Sequence, residues 1–141
     1  MDKQSVLFLC TGNSCRSQMA EALLRKLGGD RFDVYSAGLE PRGIDPMTID
    51  VLQEIGIDTS TLKSKSVSVY MGFKNIDYMI TVCAKAEKNC PTLFPSIGQR
   101  LYWPFDDPTD YTGPVAERIS FYRRIRNEIE QKILLFLTGE V

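Results

Sequence analysis

At 141 residues the chain is long enough for one domain with a single hydrophobic core, spanning 1–141. Its 17 basic and 18 acidic side chains nearly cancel, so it offers no electrostatic footprint for nucleic acid or a membrane surface. It has neither an apolar run of transmembrane length nor a secretion signal at its start, and the expected location is the cytoplasm.

The first element is the short apolar strand Val6 to Leu9, of the kind buried on both faces. A polar loop, Cys10 to Ser17, leads into a helix in which Ala20, Leu23, Leu24 and Leu27 recur at helical spacing. Gly28-Gly29 stops that helix, and Phe32 to Tyr35 reads as a second strand ending at Ser36-Ala37-Gly38. Asp45-Pro46 caps a second helix with the apolar stripe Met47, Val51, Leu52 and Ile55, and Gly56 ends it. Ile57 to Tyr70 mixes turn residues with an alternating Val67 and Val69, and reads as loop with a short turn or helix. Tyr78 to Val82 is a third strand that delivers Cys83 to a strand end as the first delivers Cys10. Ala84 to Asn89 is short and polar, Leu101 to Trp103 a weaker fourth strand, and Asp106-Asp107-Pro108 a turn. From Pro114 onward Ile119, Tyr122, Ile125, Ile129, Ile133, Phe136 and Leu137 mark a long closing helix whose stripe belongs to the core. Strands alternating with helices predict an open, mostly parallel sheet with helices on both faces and ligands at the strands' carboxyl ends.

The loop carries the chemistry. Five residues separate Cys10 from Arg16, and Gly12 and Asn13 readily take the dihedrals of a tight curl. Such a curl at a helix N-terminus turns backbone N–H groups inward and makes a nest for a tetrahedral oxyanion, to which Arg16 adds a planar fork. The same positive field is expected to lower the pKa of Cys10, with Ser17 donating a hydrogen bond to its thiolate. Four cysteines without a secretion signal point to catalytic or redox thiols rather than a structural framework. With no CxxC pair and no histidine, neither a zinc site nor a Cys-His nucleophile pair is expected. No bound cofactor is implied.

Cys10-Thr11-Gly12-Asn13-Ser14-Cys15-Arg16-Ser17 resembles the loop shared by low-molecular-weight protein tyrosine phosphatases and thioredoxin-coupled arsenate reductases. Gln18-Met19-Ala20-Glu21-Ala22 and Val34-Tyr35-Ser36-Ala37-Gly38 are similar to the reductase branch, and segments around Cys83 to Pro91 and Trp103 to Pro108 extend the likeness over nearly the whole chain. The resemblance implies a flavodoxin-like, four-stranded sheet in the order 2-1-3-4. It implies Cys10 as nucleophile, Thr11 to Ser17 as the oxyanion-binding loop, Asp107 as general acid, and Cys10, Cys83 and Cys90 as a redox triad with arsenate as substrate and thioredoxin as reductant. In that scheme Cys83 attacks the sulfur of a Cys10–arsenic adduct, and Cys90 then attacks the Cys10–Cys83 disulfide. A monomer is expected. Cys15 has no assigned role; it is either structural or a protective partner of Cys10, as in some related phosphatases.

In some reductases an Asn, a Glu, a Ser and a further acid hold potassium beneath the loop. Asn13, Glu21 and Ser36 match, but Lys65 stands at the remaining acidic position. Two rival readings stay open: a phosphatase that hydrolyses phosphoesters through a Cys10 phosphocysteine, and a non-catalytic oxyanion-binding or redox-sensing module. The residues Thr109 and Asp110 after the Asp-Pro step replace the aromatics expected of a phosphotyrosine site.

Overall fold

In the computed structural model, which describes residues 3–70, 75–88 and 96–140, four strands form one sheet. They are β1 (Gln4–Cys10), β2 (Phe32–Gly38), β3 (Asn75–Thr81) and β4 (Ser96–Tyr102), in the order β2-β1-β3-β4, and every neighbouring pair is parallel. The helices are α1 (Arg16–Gly28), α2 (Pro46–Gln53), α3 (Ala84–Lys88) and α4 (Val115–Leu137).

Val6, Leu7, Phe8 and Leu9 of β1 are all fully buried. Successive strand residues face opposite sides, so both faces of β1 are covered, as its unbroken apolar run predicts. From α1, Met19, Ala20, Leu23 and Leu24 complete the core; from α4, Tyr122, Ile125, Ile129, Ile133 and Phe136 do so. Each large apolar side chain removed from water contributes about 1.5–3 kcal/mol. The Phe136 ring lies 5.4 Å from Phe32, 5.1 Å from Tyr78 and 5.7 Å from Trp103, which fastens the last helix to three strands' worth of aromatics.

Asp45 caps α2 as its position before Pro46 predicts: its Oδ1 accepts from the Met47 N–H at 3.0 Å. The Ile57 to Tyr70 stretch contains one 3-10 turn, Val67–Val69, and Ser66 bridges to Gly38 at the end of β2. Two strands begin earlier than their apolar residues. β3 starts at Asn75 rather than Tyr78, and β4 runs Ser96–Tyr102 rather than Leu101 to Trp103. β4 is an edge strand whose Gly98, Gln99 and Arg100 are exposed, so hydrophobic pattern marks only its end.

Because β1 is central, its carboxyl end sits between those of β2 and β3. Cys10 pairs with Gly38, and Leu9 pairs with Thr81, two residues before Cys83. Gly38 is closely pressed: a β-carbon there would lie 2.6 Å from the Thr11 carbonyl oxygen and 2.7 Å from the Asn13 nitrogen. Gly38→Ala is therefore expected to destabilise the protein by about 3 kcal/mol and to distort the Cys10 loop. The check is a urea midpoint measured beside the alkylation rate of Cys10; unchanged values for both would contradict it.

Candidate active site

The loop after β1 is held from outside by its carbonyls. Those of Cys10, Thr11, Gly12 and Ser14 accept from the backbone N–H groups of Leu39, Glu40, Arg42 and Asp45 at 2.8–3.2 Å. A trans peptide points its C=O and N–H in opposite directions, so these bonds turn the following N–H groups toward the inside of the curl. α1 begins at Arg16 with no side-chain cap, leaving its first N–H groups and the positive end of its dipole facing the same space.

Asn13 holds the curl from within. It is fully buried and adopts a left-handed φ of 48°, which asparagine tolerates better than most residues. Its Nδ2 donates to Ser17 Oγ at 2.8 Å and to Ser36 Oγ at 2.9 Å, and its Oδ1 accepts from the Lys65 N–H at 2.7 Å. Gln18, which the sequence did not single out, donates from Nε2 to the Asn13 carbonyl at 3.0 Å and to the Lys63 carbonyl at 2.8 Å.

Cys10 Sγ accepts from the Asn13 N–H at 3.1 Å and lies 2.8 Å from Ser17 Oγ. The expected contact with Ser17 is present, but the expected direction of the pKa is not. Burial pushes the Cys10 thiol above its ordinary value, and the Ser17 and Asn13 hydrogen bonds offset that only in part. Cys15 is buried beside Thr48, and burial raises its thiol to about 12, with Asp45 and Asp107 adding to the rise.

A cleft of about 510 Å³ opens above the loop. Of the residues expected to hold the oxyanion, Thr11, Gly12, Ser14, Cys15 and Arg16 line it. Asn13 and Ser17 are fully buried, and their side chains face Ser36 and Cys10 instead. Arg16 Nη2 donates to Asp107 Oδ2 at 3.2 Å and its Nη1 to the Phe105 carbonyl at 2.9 Å. The anion fork and the expected acid are thus paired at the mouth of the cleft. Asp107 also caps the 3-10 turn Pro108–Asp110 by accepting from the Thr109 N–H at 2.9 Å, and its neighbour Asp106 is turned outward to Arg124. Cys83 enters the same cleft from β3; its Sγ lies 3.5 Å from Thr11 Oγ1 and accepts from the Ala86 N–H at 3.4 Å. Cys90 lies outside the described residues. The cleft also takes in Arg42, Lys85 and the half-exposed Tyr102, none of which has a motif to announce it.

The potassium cradle does not fit its cation here. Lys65 Nζ stands 3.6 Å from Glu21 Oε1 and donates to the Lys63 carbonyl at 2.7 Å. Ser36 donates to Glu21 Oε1 at 2.6 Å, and Arg25 Nη1 meets Glu21 Oε2 at 2.7 Å. The buried carboxylate is already answered by two fixed cations, and the Asn13 oxygen by a backbone N–H. No cluster of three or more metal-ligating side chains occurs among the described residues, and no helix among them is long and apolar enough to cross a membrane.

Comparison with known proteins agrees with this geometry. The family model for low molecular weight phosphotyrosine protein phosphatase matches residues 5–139. An arsenate reductase of Halalkalibacterium halodurans is 43% identical over 136 residues, covering 96% of each chain. One of Bacillus licheniformis is 43% identical over 141 residues, covering 99% of this chain and all of that one. Among solved structures, an arsenate reductase in a phosphate-binding state superposes with a TM-score of 0.80 at 26% identity, over 98% of this chain and 99% of that one. A low molecular weight protein tyrosine phosphatase from T. tengcongensis shares the fold, with a TM-score of 0.78 at 24% identity over 97% of this chain and 99% of that one.

Two outcomes are expected. Potassium added at constant ionic strength leaves turnover unchanged, because Lys65 and Arg25 already neutralise Glu21; a several-fold rise would contradict the cradle described above. For Cys15, whose thiol is raised from 9.0 to about 12, the unfolded chain ionises first as pH rises. Its contribution to stability is full below pH 9 and is lost toward pH 12, by up to about 1.4 kcal/mol per pH unit. Urea midpoints of wild type and Cys15→Ser measured from pH 8 to 11 should converge as pH rises; parallel curves would show that Cys15 is not the group responsible.

Proposed function

The chain belongs to the low molecular weight phosphotyrosine protein phosphatase family and, within it, to the arsenate reductases, and on that premise we propose that it reduces arsenate through a relay of Cys10, Cys83 and Cys90 regenerated by thioredoxin. The observation that carries this reading is the meeting of Cys10 and Cys83 in one cleft, at the carboxyl ends of adjacent strands, with Thr11 Oγ1 3.5 Å from the Cys83 sulfur. Phosphoester hydrolysis has no use for that second thiol.

Arsenate enters with its oxygens toward the inward N–H groups and the Arg16 fork, which leaves Asp107 as the oxyanion arrives. Cys10 Sγ attacks arsenic while one oxygen departs. The thiol proton, passed through Asp107, leaves with that oxygen as water, so no histidine is needed. The product is a Cys10 S–As(V) adduct. Cys83 then attacks the Cys10 sulfur; the S–As bond breaks, its electron pair goes to arsenic, and arsenite leaves as a Cys10–Cys83 disulfide forms. Thr11 orients the Cys83 thiol for this attack. Cys90 attacks Cys83, restoring Cys10, and the Cys83–Cys90 disulfide is reduced by the thioredoxin dithiol.

A second reading, hydrolysis of a phosphate monoester through a Cys10 phosphocysteine, is favoured by one observation: Tyr102 offers a half-exposed aromatic ring at the cleft. It uses the same loop, Arg16 and Asp107, and leaves Cys83 idle.

NADPH consumption with thioredoxin and thioredoxin reductase, started by arsenate, separates the two. Wild type is expected to turn over, Cys83→Ser and Cys90→Ser to lose steady-state turnover, and Arg16→Lys to lose about 100-fold in kcat/KM through its missing fork. Flat NADPH with rapid hydrolysis of an aryl phosphate would overturn the relay in favour of the phosphatase.

A further inference from the structure

Thr81, the last residue of β3, is 1% exposed, and its hydroxyl donates to the carboxylate of Glu87 on α3. α3 has only five residues, of which Ala86 alone is buried, so little apolar contact holds it to the sheet. Two of its described hydrogen bonds are centred on Cys83: the Glu87 N–H donates to the Cys83 carbonyl at 3.1 Å, and the Ala86 N–H to the Cys83 sulfur at 3.4 Å. The first turn of α3 and the inward-facing Cys83 thiol therefore move as one unit, and the Glu87–Thr81 bond ties that unit to the end of β3.

We propose that Glu87 is a positioning residue for the relay, whose bond to Thr81 holds Cys83 toward Cys10 and sets the thiol–disulfide balance of the Cys83–Cys90 pair. This rests on the three-cysteine reading above. Cys83 is 5% exposed, so its sulfur must leave the cleft before a disulfide it forms can meet an external dithiol. Leaving breaks the Ala86 contact and unwinds the first turn, and the Glu87 carboxylate parts from Thr81. A bond present in the dithiol form and absent from the disulfide form stabilises the dithiol. Glu87 thus orders the exchanges: Cys83 faces the Cys10 adduct first and Cys90 second.

The test uses the full chain carrying Cys10→Ser, equilibrated in glutathione buffers. Two protein thiols give their electron pair to glutathione disulfide, forming the Cys83–Cys90 bond and two glutathione thiols; the fraction oxidised is read by alkylation and mass of the linked peptide. Adding Glu87→Ala is expected to move the midpoint about tenfold toward the disulfide, the scale of a hydrogen bond to a charged group. Alanine is the better helix former, so weakened helix propensity cannot produce that shift. Glu87→Gln, which keeps an acceptor for Thr81, is expected to stay within about threefold, and Thr81→Val to move as Glu87→Ala does. A disulfide that forms normally with an unmoved midpoint in both Glu87→Ala and Thr81→Val overturns the role of Glu87 alone. Failure of the parent chain to form a Cys83–Cys90 disulfide at any glutathione ratio overturns the three-cysteine reading and this role together.

Discussion

The site depends on Asn13 more than on any residue that touches the cleft. At a left-handed backbone angle, its N–H donates to the Cys10 sulfur, while its buried side-chain amide joins the Ser17 hydroxyl, β2 through Ser36, and the Lys65 backbone. Ser17 and Ser36 are bonded in turn to Cys10 and Glu21, so the amide closes a buried network in which each polar atom left unsatisfied costs about 1–3 kcal/mol. The curl is therefore fixed by hydrogen bonds from below before any anion arrives. Preorganisation of this kind places the N–H groups where charge must be held, without reorganisation at the moment of reaction.

The electrostatics follow from dryness as much as from positive charge. A helix N-terminus and an arginine draw an anion, but the same enclosure that strengthens them takes water from the thiol, and for Cys10 the loss of water wins. Burial likewise raises the Cys15 thiol, to about 12. The two cysteines, five positions apart in one loop, differ in their partners: Cys10 has a hydroxyl and a backbone N–H at its sulfur, and Cys15 is buried beside Thr48. Glu21 is a buried carboxylate paired with Lys65 and Arg25.

The strand order came from the family resemblance, whereas the parallel sheet and the position of the loop were legible because an unbroken apolar run and a helical stripe lie on either side of Gly12 and Asn13. β4 was not, because an exposed edge strand needs no apolar alternation over Gly98 to Arg100. Cys10, Arg16, Cys83 and Asp107, singled out by motif and resemblance, line one cleft, whereas Tyr102 and Glu87 have no local signature, and Gln18 belongs to a family-like segment that assigns it no role. The pKa of Cys10 was misjudged by weighing the helix dipole without the desolvation that accompanies it.

The parallel order β2-β1-β3-β4 divides the chain's labour by position along it. Every group that shapes and supports the curl, from Cys10 through Ser36 and Gly38 to Lys65 and Ser66, lies in the first 66 residues. The second thiol and the acid come later, on β3 and beyond β4, and reach the curl only by crossing to the other side of β1. An emerging chain thus holds the parts of the curl before it holds Cys83 and Asp107. The same fold is shared by solved structures named as a reductase and as a phosphatase, so the fold alone does not fix which chemistry follows.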